Sequence, residues 1–477
     1  MKTSINISLL ILISTLSFGQ IKKDLTKTEM LEDYDFLVNR IEKISPHIQP
    51  KKQMWNYDII QEIKNRRTEV DTITSYNSFW FFVNRTLNSC QDGHTVIKTE
   101  NKDFNIYQNF KINLPIKYIN GEYLVVKPFT FNNIHIEIGA KVEMINNKPI
   151  HDYVQTIPQF RYFMQWDNLN KRFFYGNFYA NDNIAILKEF SLSILNLDNS
   201  KSLLKLKTNE EVIIDNTQSE FNSNKKVEYW NDQKILYIRV PAMNYDDIEF
   251  YKKEIISKSK GKIITKIILD IRNNLGGSDA VWQNIYETII DKPIEYKIKL
   301  CGNKPDFMTK EYLIEKNLNP KKIQSENISF LNNREMFIYC DKTETIKPSK
   351  KSIHFKGNFF VIGNENIFSS AGSCMILPNE NENDNIISVG RATGRFLGGG
   401  YDPISSTLPN SKIDFIIEPA IDITNTKKVE DIMQDKYEIN VPYNLSEFQD
   451  KFNYEGNIWS KDFLLNYDPF IKEVLKR

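Results

Sequence analysis

Apolar side chains recur at intervals of three and four residues in three segments near the start of the chain. The segments are residues 30–44, 57–66 and 76–87, the last of which is dense in aromatic residues. Spacing of this kind places the apolar side chains on one face of an α-helix. The pattern therefore predicts a helical domain over residues 21–105 whose aromatic stripe packs in a core.

The apolar period then shortens to two, which is typical of β-strands. Residues 112–118 and 123–127 alternate on either side of Asn120-Gly121. This dipeptide tolerates the positive φ angles of a tight turn, so the pattern predicts a β-hairpin. We assign residues 106–227 to a β-rich region.

Of two further stretches in the β-rich region, one has a clear pattern of secondary-structure elements and the other does not. Residues 138–150 read as a glycine, a strand, an Asn-Asn turn, a second short strand and the start of a helix. Residues 160–225 are rich in asparagine and aromatic residues and show no assignable period.

Beyond residue 228, nearly continuous apolar strands alternate with amphipathic segments. Strands are predicted at 234–240, 263–270, 359–363, 386–389 and 415–417, and helices at 246–259, at 279–290 and from 369. Strands of this kind are buried on both faces, so the order predicts an α/β domain over 228–445 with a covered sheet. We expect the lysine-rich stretch 300–355 to be an irregular surface insertion and 446–477 to be a C-terminal extension.

Composition and charge exclude several classes of protein. The chain has 477 residues, of which 41% are hydrophobic, and 62 basic side chains balance 61 acidic ones. This length accommodates about three domains, and the composition is that of a folded globular protein. No basic stretch breaks the balance, so we do not expect a nucleic-acid partner.

The first twenty residues have the pattern of a secretory signal peptide. Lys2 precedes a largely apolar run over 5–18, and Gly19-Gln20 offers a cleavage point. The run is shorter than the ~20 residues of a membrane span, so we expect export to the periplasm or the exterior and no stable membrane insertion.

Export brings the cysteines into an oxidising compartment, where they could pair. The four are Cys90, Cys301, Cys340 and Cys374. Three pairings are possible, and free thiols stay open as well. Their spacing contains no CxxC and no companion histidine cluster, so we do not expect a structural zinc site. The sequence implies no metal and no organic cofactor.

Three short segments carry candidate chemistry. In the run 270–277, Gly276-Gly277 follow a buried strand, where bare N–H groups could stabilise an oxyanion; an ordinary turn would also explain them. Ser369-Ser370 stand between a predicted strand and a helix, as an exposed nucleophile or as a simple helix cap.

The third segment is Asp92-Gly93-His94-Thr95, after the aromatic helix. Small and polar neighbours in a turn suit a general base, and His94 is one of only five histidines. A surface or structural histidine is the alternative.

Taken in order, these segments resemble the family of C-terminal processing (tail-specific) and tricorn-type serine peptidases. Residues 138–150 resemble part of a PDZ-like domain, and 389–394 and 417–419 resemble two further family segments. The resemblance covers nearly the whole chain after the signal. It implies a ClpP/crotonase-like ββα catalytic domain that cuts peptide bonds in extended substrates.

The resemblance also implies roles for individual residues. Counting along the family pattern from Asn364 places the nucleophile at Ser369. If the pattern is shifted along the sequence by one residue, the nucleophile is Ser370 instead. The oxyanion hole would combine the amide after the nucleophile with that of Gly276 or Gly277.

One branch of the family activates its serine with a lysine, and the other with a histidine. Arg395 stands where the first branch has lysine, and arginine does not give up its proton. The histidine branch fits His94, although Gly93 stands where tricorn has serine. Glu418 is the candidate carboxylate that orients His94.

The sequence thus predicts a secreted serine peptidase that acts on peptides or proteins. A catalytically weak relative that binds peptides or other ligands, and an esterase-like hydrolase, are the alternatives. The oligomeric state is not predicted.

Overall fold

The computed structural model describes residues 25–100, 114–155, 165–178, 189–207, 213–214, 224–303, 324–380, 385–394, 400, 402–433 and 437–477. The expected signal peptide at 1–20 lies outside the described residues, as does Arg395.

Within these ranges the α-helices are α1 (Lys27–Ile44), α2 (Ile48–Trp55), α3 (Ile59–Asn65), α4 (Tyr76–Asn88), α5 (Ile150–Gln155), α6 (Ile248–Ser259), α7 (Asp279–Ile289), α8 (Ser370–Glu380), α9 (Leu445–Asn453), α10 (Lys461–Asn466) and α11 (Pro469–Leu475). In the described part of the chain, no helix combines the length and the apolar character that crossing a bilayer requires.

The first strands, in the same ranges, are β1 (Val96–Ile97), β2 (Ile116–Ile119), β3 (Glu122–Val125), β4 (Phe129–Phe131), β5 (Ile134–Ile136), β6 (Lys141–Ile145), β7 (Lys148–Pro149), β8 (Gln165–Asp167), β9 (Arg172–Phe174), β10 (Asn177–Phe178), β11 (Glu189–Leu195), β12 (Lys201–Lys207) and β13 (Ile213–Ile214). The later strands are β14 (Lys226–Trp230), β15 (Ile235–Arg239), β16 (Lys266–Asp270), β17 (Ile294–Gly302), β18 (Gln324–Ile328), β19 (Arg334–Ile346), β20 (Asn358–Ile362), β21 (Ile386–Gly390), β22 (Ile404–Thr407), β23 (Asp414–Ile417), β24 (Ala420–Asp422) and β25 (Ile439–Asn440).

The three helices predicted near the start of the chain are confirmed as α1, α3 and α4. Helix α1 begins with a capping box, in which Thr26 and Glu29 satisfy each other's backbone amides. The sequence pattern did not predict α2, a short helix that contains Pro50 near its start and is followed by Asn56 in a left-handed conformation.

The predicted β-hairpin is confirmed as β2 and β3. Asn120 and Gly121 form its turn with φ angles of +49° and +93°, the positive values that this dipeptide favours. The hairpin joins a sheet of strand order β10-β2-β3-β6-β11-β12, with β7 paired to β6. The glycine–strand–turn–strand–helix pattern predicted at 138–150 is also present, with its helix beginning at Ile150.

The α/β domain is built on a sheet of order β14-β15-β16-β20-β21-β25, in which all pairs except β14–β15 are parallel. Tyr251, Trp282 and Cys374 from α6, α7 and α8 pack on one face. Ile471 and Val474 from α11 pack on the other. The prediction of a sheet covered on both sides is therefore confirmed.

The carboxyl ends of two central strands position the candidate site. Asp270, the last residue of β16, lies beside Ile362, the last residue of β20. Because the strands are parallel, the loops that follow them leave the same edge of the sheet, and these loops contain Gly276-Gly277 and Ser369.

The expectation that 300–355 is an irregular surface insertion is wrong for its described part. Strands β17, β18, β19 and β24 form a four-stranded sheet. Met336 and Ile338 on β19 pack with Ile421 on β24 in a separate small core. Exposed charged residues on the remainder of β19 hide this pattern in the sequence.

The structure contains four free thiols and no disulfide among the cysteines, all of which it describes. Cys301 and Cys340 lie on the paired strands β17 and β19, but they pack into different cores. Their side chains therefore project from opposite faces of the sheet.

Candidate functional site

His94 and Ser369, separated by 275 positions in the sequence, meet in the folded chain. The imidazole Nε2 lies 3.2 Å from the hydroxyl Oγ, which is hydrogen-bond distance. The ring of Phe368 packs on the imidazole, with ring centroids 4.6 Å apart. A hydroxyl and an imidazole are thus in direct contact.

Ser369 occupies a sharp turn between β20 and α8. Its φ angle is +55°, an uncommon conformation for any residue other than glycine. Two backbone bonds hold the turn: Phe368 N donates to Asn274 O at 3.1 Å, and Ser373 N donates to Ser369 O at 3.0 Å. The turn places the partly exposed Ser369 immediately before the first residue of α8.

Ser370 has a different environment. It is the first residue of α8, only 4% exposed, and its Oγ has no hydrogen-bond partner among the described residues. The structure therefore brings Ser369, and not Ser370, to His94.

Glu418 lies on the other side of the imidazole. Its Oε2 is 3.5 Å from His94 Nδ1, and its Oε1 accepts a hydrogen bond from Ala420 N at 3.1 Å. The carboxylate is 2% exposed. A Cβ at Gly400 would lie 2.2 Å from Oε2, so a larger residue there would require the carboxylate to move.

The loops of His94 and Glu418 are tied together by backbone and side-chain bonds. Strand β1, which follows His94, pairs with β23, which precedes Glu418. Asp92 accepts hydrogen bonds from His94 N at 3.2 Å and from Thr95 Oγ1 at 2.6 Å. Thr95 Oγ1 in turn accepts one from Glu418 N at 3.2 Å. The neighbours of His94 in the D-G-H-T segment thus position it.

The two candidate oxyanion glycines differ in the state of their amides. Gly276 N donates to Asn274 Oδ1 at 2.8 Å and is therefore engaged. Within the described chain, the amides of Gly277 and Ser370 donate to no protein acceptor. Of these two glycines, Gly277 is therefore the one whose amide is free to donate a hydrogen bond to an oxyanion.

Gly276 contributes in another way. It has a φ angle of +102°, and a Cβ added there would lie 2.8 Å from Ser369 Cβ. Only glycine allows the loop after β16 to approach the serine this closely.

Three asparagines that sequence analysis assigned no role join the two site loops. Asn273 N donates to Asn364 Oδ1 at 2.8 Å, and Asn364 Nδ2 donates back to Asn273 Oδ1 at 2.8 Å. Asn366 Nδ2 donates to the same Oδ1 at 2.9 Å. Asn273 has a φ angle of +60°, a conformation that asparagine tolerates better than most residues.

Buried ion pairs also stabilise the region of the site loops. The Arg272 guanidinium contacts Asp270 and Asp468, each at 2.6 Å. The Arg391 guanidinium contacts Glu447, with one Nη1–Oε1 distance of 2.9 Å. Asp468 and Glu447 belong to the last part of the chain, so the predicted C-terminal extension helps to hold the site loops.

A second set of buried charges lies behind His94. Lys51 Nζ donates to the carbonyls of Cys90 and Gln91 at 2.7 and 2.6 Å, just after α4. Burial lowers the pKa of Lys51 to about 8. Burial raises the pKa of Asp92, but the positive charges of His47, Lys51 and His94 outweigh it and lower this pKa to about 2.

His47 completes this buried set and gives the fold a dependence on pH. Burial, and then the charge of Lys51, lower the pKa of His47 to about 3, while Asp92 opposes the shift. Between pH 3 and its ordinary value of 6.5, the unfolded chain binds more protons at this residue. The free energy of unfolding therefore falls as the pH falls through this window.

We expect His47 to account for a loss of about 2 kcal/mol in the free energy of unfolding between pH 7 and pH 5. Denaturant unfolding of wild type and His47→Gln at the two pH values measures the difference. The variant should lose less stability on acidification, whereas His354→Gln, at a side chain 56% exposed, should behave like wild type. Equal acid sensitivity in wild type and His47→Gln would contradict this assignment.

Among the described residues, no three or more histidine, cysteine, aspartate or glutamate side chains are grouped so that they could hold a metal ion. What the site does contain is a serine, an imidazole, a carboxylate and free backbone amides, the groups that acyl transfer requires.

Comparison with protein families decides the assignment. Residues 234–400 match the family model described as peptidase family S41. This part of the chain is similar to peptidase family S41. The matched S41 segment includes the run 270–277 and Ser369, and it makes the chain a serine-type peptidase whose substrates are peptides or proteins.

Solved structures give the same fold. The chain is similar to mature CPAF in complex with lactacystin, at 14% sequence identity and a TM-score of 0.59, over 94% of this chain and 98% of that one. A second structure of mature CPAF gives 14% identity and a TM-score of 0.58, over 94% and 96% of the two chains. At this identity the similarity concerns the fold. No curated protein sequence matches the chain.

Proposed function

We propose that this chain is an exported serine peptidase of the S41 type that hydrolyses peptide bonds with Ser369 as nucleophile, His94 as general base and Glu418 as the orienting carboxylate. The observation that carries the proposal is the 3.2 Å contact between His94 Nε2 and Ser369 Oγ. A hydroxyl is a weak nucleophile until a base in hydrogen-bond contact takes its proton.

The first half of the reaction forms an acyl-enzyme. His94 Nε2 accepts the proton of Ser369 as Oγ attacks the carbonyl carbon of the substrate. The amides of Gly277 and Ser370, which are free to donate, stabilise the negative charge on the former carbonyl oxygen. His94 then donates the proton to the departing amine, and the C–N bond breaks.

The second half repeats these steps with water. His94 takes a proton from water, the hydroxide oxygen attacks the acyl carbon, and Ser369 leaves with the proton that His94 returns. The enzyme ends the cycle in its starting state, and the steps as written use no redox partner and no metal ion.

Glu418 acts on the charged form of His94. Its carboxylate faces Nδ1 from 3.5 Å and is shielded from water. An imidazolium that forms during the reaction gains more from this negative charge than it would in bulk solvent, because the surroundings are less polar. At 3.5 Å the contact is longer than an ordinary hydrogen bond, so Glu418 contributes charge and ring orientation.

Export completes the proposal. It is supported by the signal-like pattern of residues 1–20 and places the enzyme in the periplasm or outside the cell. In this arrangement residues 21–105 supply His94 and residues 228–445 supply Ser369, so the helical segment forms part of the active site.

Covalent labelling of the exported full chain tests the proposed function. A fluorophosphonate probe should form a phosphonyl ester on an activated serine, and mass spectrometry of the digested adduct should locate it on Ser369. Incubation with unfolded casein should release peptides, which an esterase would not do. Heat-denatured protein is the control. A native chain that neither labels nor releases peptides, yet binds them, would favour a peptide-binding protein instead.

A further inference from the structure

A buried lysine lies behind the loop that carries His94. Lys51, on α2, is 1% exposed, and its Nζ donates to the carbonyls of Cys90 and Gln91 at 2.7 and 2.6 Å. A lysine is rarely buried to this degree unless its charge has a partner. The steps of the proposed reaction give this side chain no role, so its position needs an explanation.

The two carbonyls belong to a turn that needs a donor. Helix α4 ends at Asn88, and Gln91 then has a φ angle of +52°, which is uncommon for a residue other than glycine. Cys90 and Gln91 are both buried, and a buried carbonyl without a hydrogen-bond partner is costly. Hydrogen bonds from a charged donor are roughly twice as strong as neutral ones. The Lys51 ammonium therefore holds the turn in this conformation.

The turn leads directly to the imidazole. Asp92 follows Gln91 and accepts a hydrogen bond from His94 N at 3.2 Å. The imidazole in turn lies 3.2 Å from Ser369 Oγ. A change in the backbone of the turn therefore moves Asp92, and with it the ring that contacts the serine.

The ionisable groups that face the ammonium are His47, Cys90 and Asp92. Burial, and then the charge of Lys51, lower the pKa of His47 to about 3, and burial raises the pKa of Cys90 to about 12. Both are uncharged at neutral pH, so Lys51 and Asp92 are the interacting charges. Other charged residues on α2 and on the elements packed against it contact other partners or solvent, and they are Lys52, Asp58, Glu62, Lys64, Glu430 and Asp431.

We propose that Lys51 is a positioning residue, whose ammonium holds the turn before His94 so that the imidazole keeps its contact with Ser369. This proposal rests on the proposed function. The effect of Lys51 passes through the backbone of Cys90 and Gln91. Its loss should lower kcat and leave KM nearly unchanged, since it alters the alignment of the base and the nucleophile.

Lys51→Met in the full chain tests this role, because methionine keeps most of the length of the side chain and removes the charge. For a quenched peptide, kcat should fall about 100-fold, with KM within about threefold of wild type. Fluorophosphonate labelling should still reach completion on Ser369, but more slowly, and its final extent counts the folded enzyme. Lys52→Met is the matched control and should behave like wild type, since Lys52 is the next residue on α2 and is 55% exposed.

The pH profile of the wild type gives a second readout, which a purely structural lysine would not change. Burial lowers the pKa of Lys51 to about 8, so kcat should fall about tenfold between pH 7 and pH 9. Lys51→Met should show no such fall. Between about pH 8 and its ordinary value of 10.5, the unfolded chain binds more protons at this residue. Its contribution to the free energy of unfolding therefore rises with pH, so its deprotonation does not unfold the chain.

The outcomes separate this proposal from the proposed function. A folded Lys51→Met enzyme with the kcat of wild type, or a wild-type kcat that stays flat from pH 7 to pH 9, would overturn the role of Lys51. Labelling of wild type at Ser369 would uphold the peptidase in that case. If Lys51→Met does not fold, the wild-type pH profile decides by itself. A wild-type chain that neither labels nor releases peptides would remove both proposals.

Discussion

Ser369→Ala is expected to lower kcat for peptide hydrolysis by about four to six orders of magnitude. The variant removes the hydroxyl that contacts His94 Nε2 at 3.2 Å. Without it no acyl-enzyme forms, and only the residual effect of binding and the amides of Gly277 and Ser370 remains. Hydrolysis of a quenched peptide and fluorophosphonate labelling both measure the loss.

Ser370→Ala is the matched control for this prediction. Its hydroxyl is adjacent in sequence but buried, with no hydrogen-bond partner among the described residues. Removing it leaves the backbone amide in place, so kcat should change by less than about tenfold, well below the loss of a catalytic group. Full labelling of Ser369→Ala together with loss in Ser370→Ala would reverse the assignment.

His94→Ala is expected to reduce kcat by about four orders of magnitude or more, because Ser369 would have no base within reach. The rate of peptide hydrolysis measures this loss, and thermal unfolding checks that the variant is folded. His354→Ala is the control, since the His354 side chain is exposed and lies beside Asp291.

Two further variants sharpen the second prediction. When residues act as a unit, the effects of their substitutions on kcat are not additive. The double variant Ser369→Ala with His94→Ala should therefore be about as inactive as either single variant. Glu418→Gln keeps the size of the side chain and removes its charge, and it should cost less than His94→Ala. A His94→Ala enzyme that retains near wild-type activity would refute the base assignment.

Sequence alone determined the local elements and the candidate residues for the chemistry. The Asn120-Gly121 turn, the apolar strand before Asp270 and the helical period of α4 depend on neighbours a few positions away. Such patterns reflect backbone preferences and burial, which are local. The D-G-H-T segment and the glycine pair were recognisable for the same reason.

The four-stranded sheet that includes β19 was not predictable in this way. Its core is completed by β24, which is distant in sequence, and its exposed charged positions look like those of a surface loop. Helix α2 was missed because its short length leaves no full period to detect.

Only the tertiary structure decided how the site is assembled. The positive φ of Ser369 and the burial of Ser370 separate two adjacent hydroxyls. The bond from Gly276 N to Asn274 Oδ1 leaves Gly277 as the free amide. The donors and acceptors of the hydrogen bonds in the site, and the distance between His94 and Glu418, depend on the pairing of strands that are distant in sequence. A sequence supplies the groups, and the packing of distant segments sets which of their atoms remain available to react.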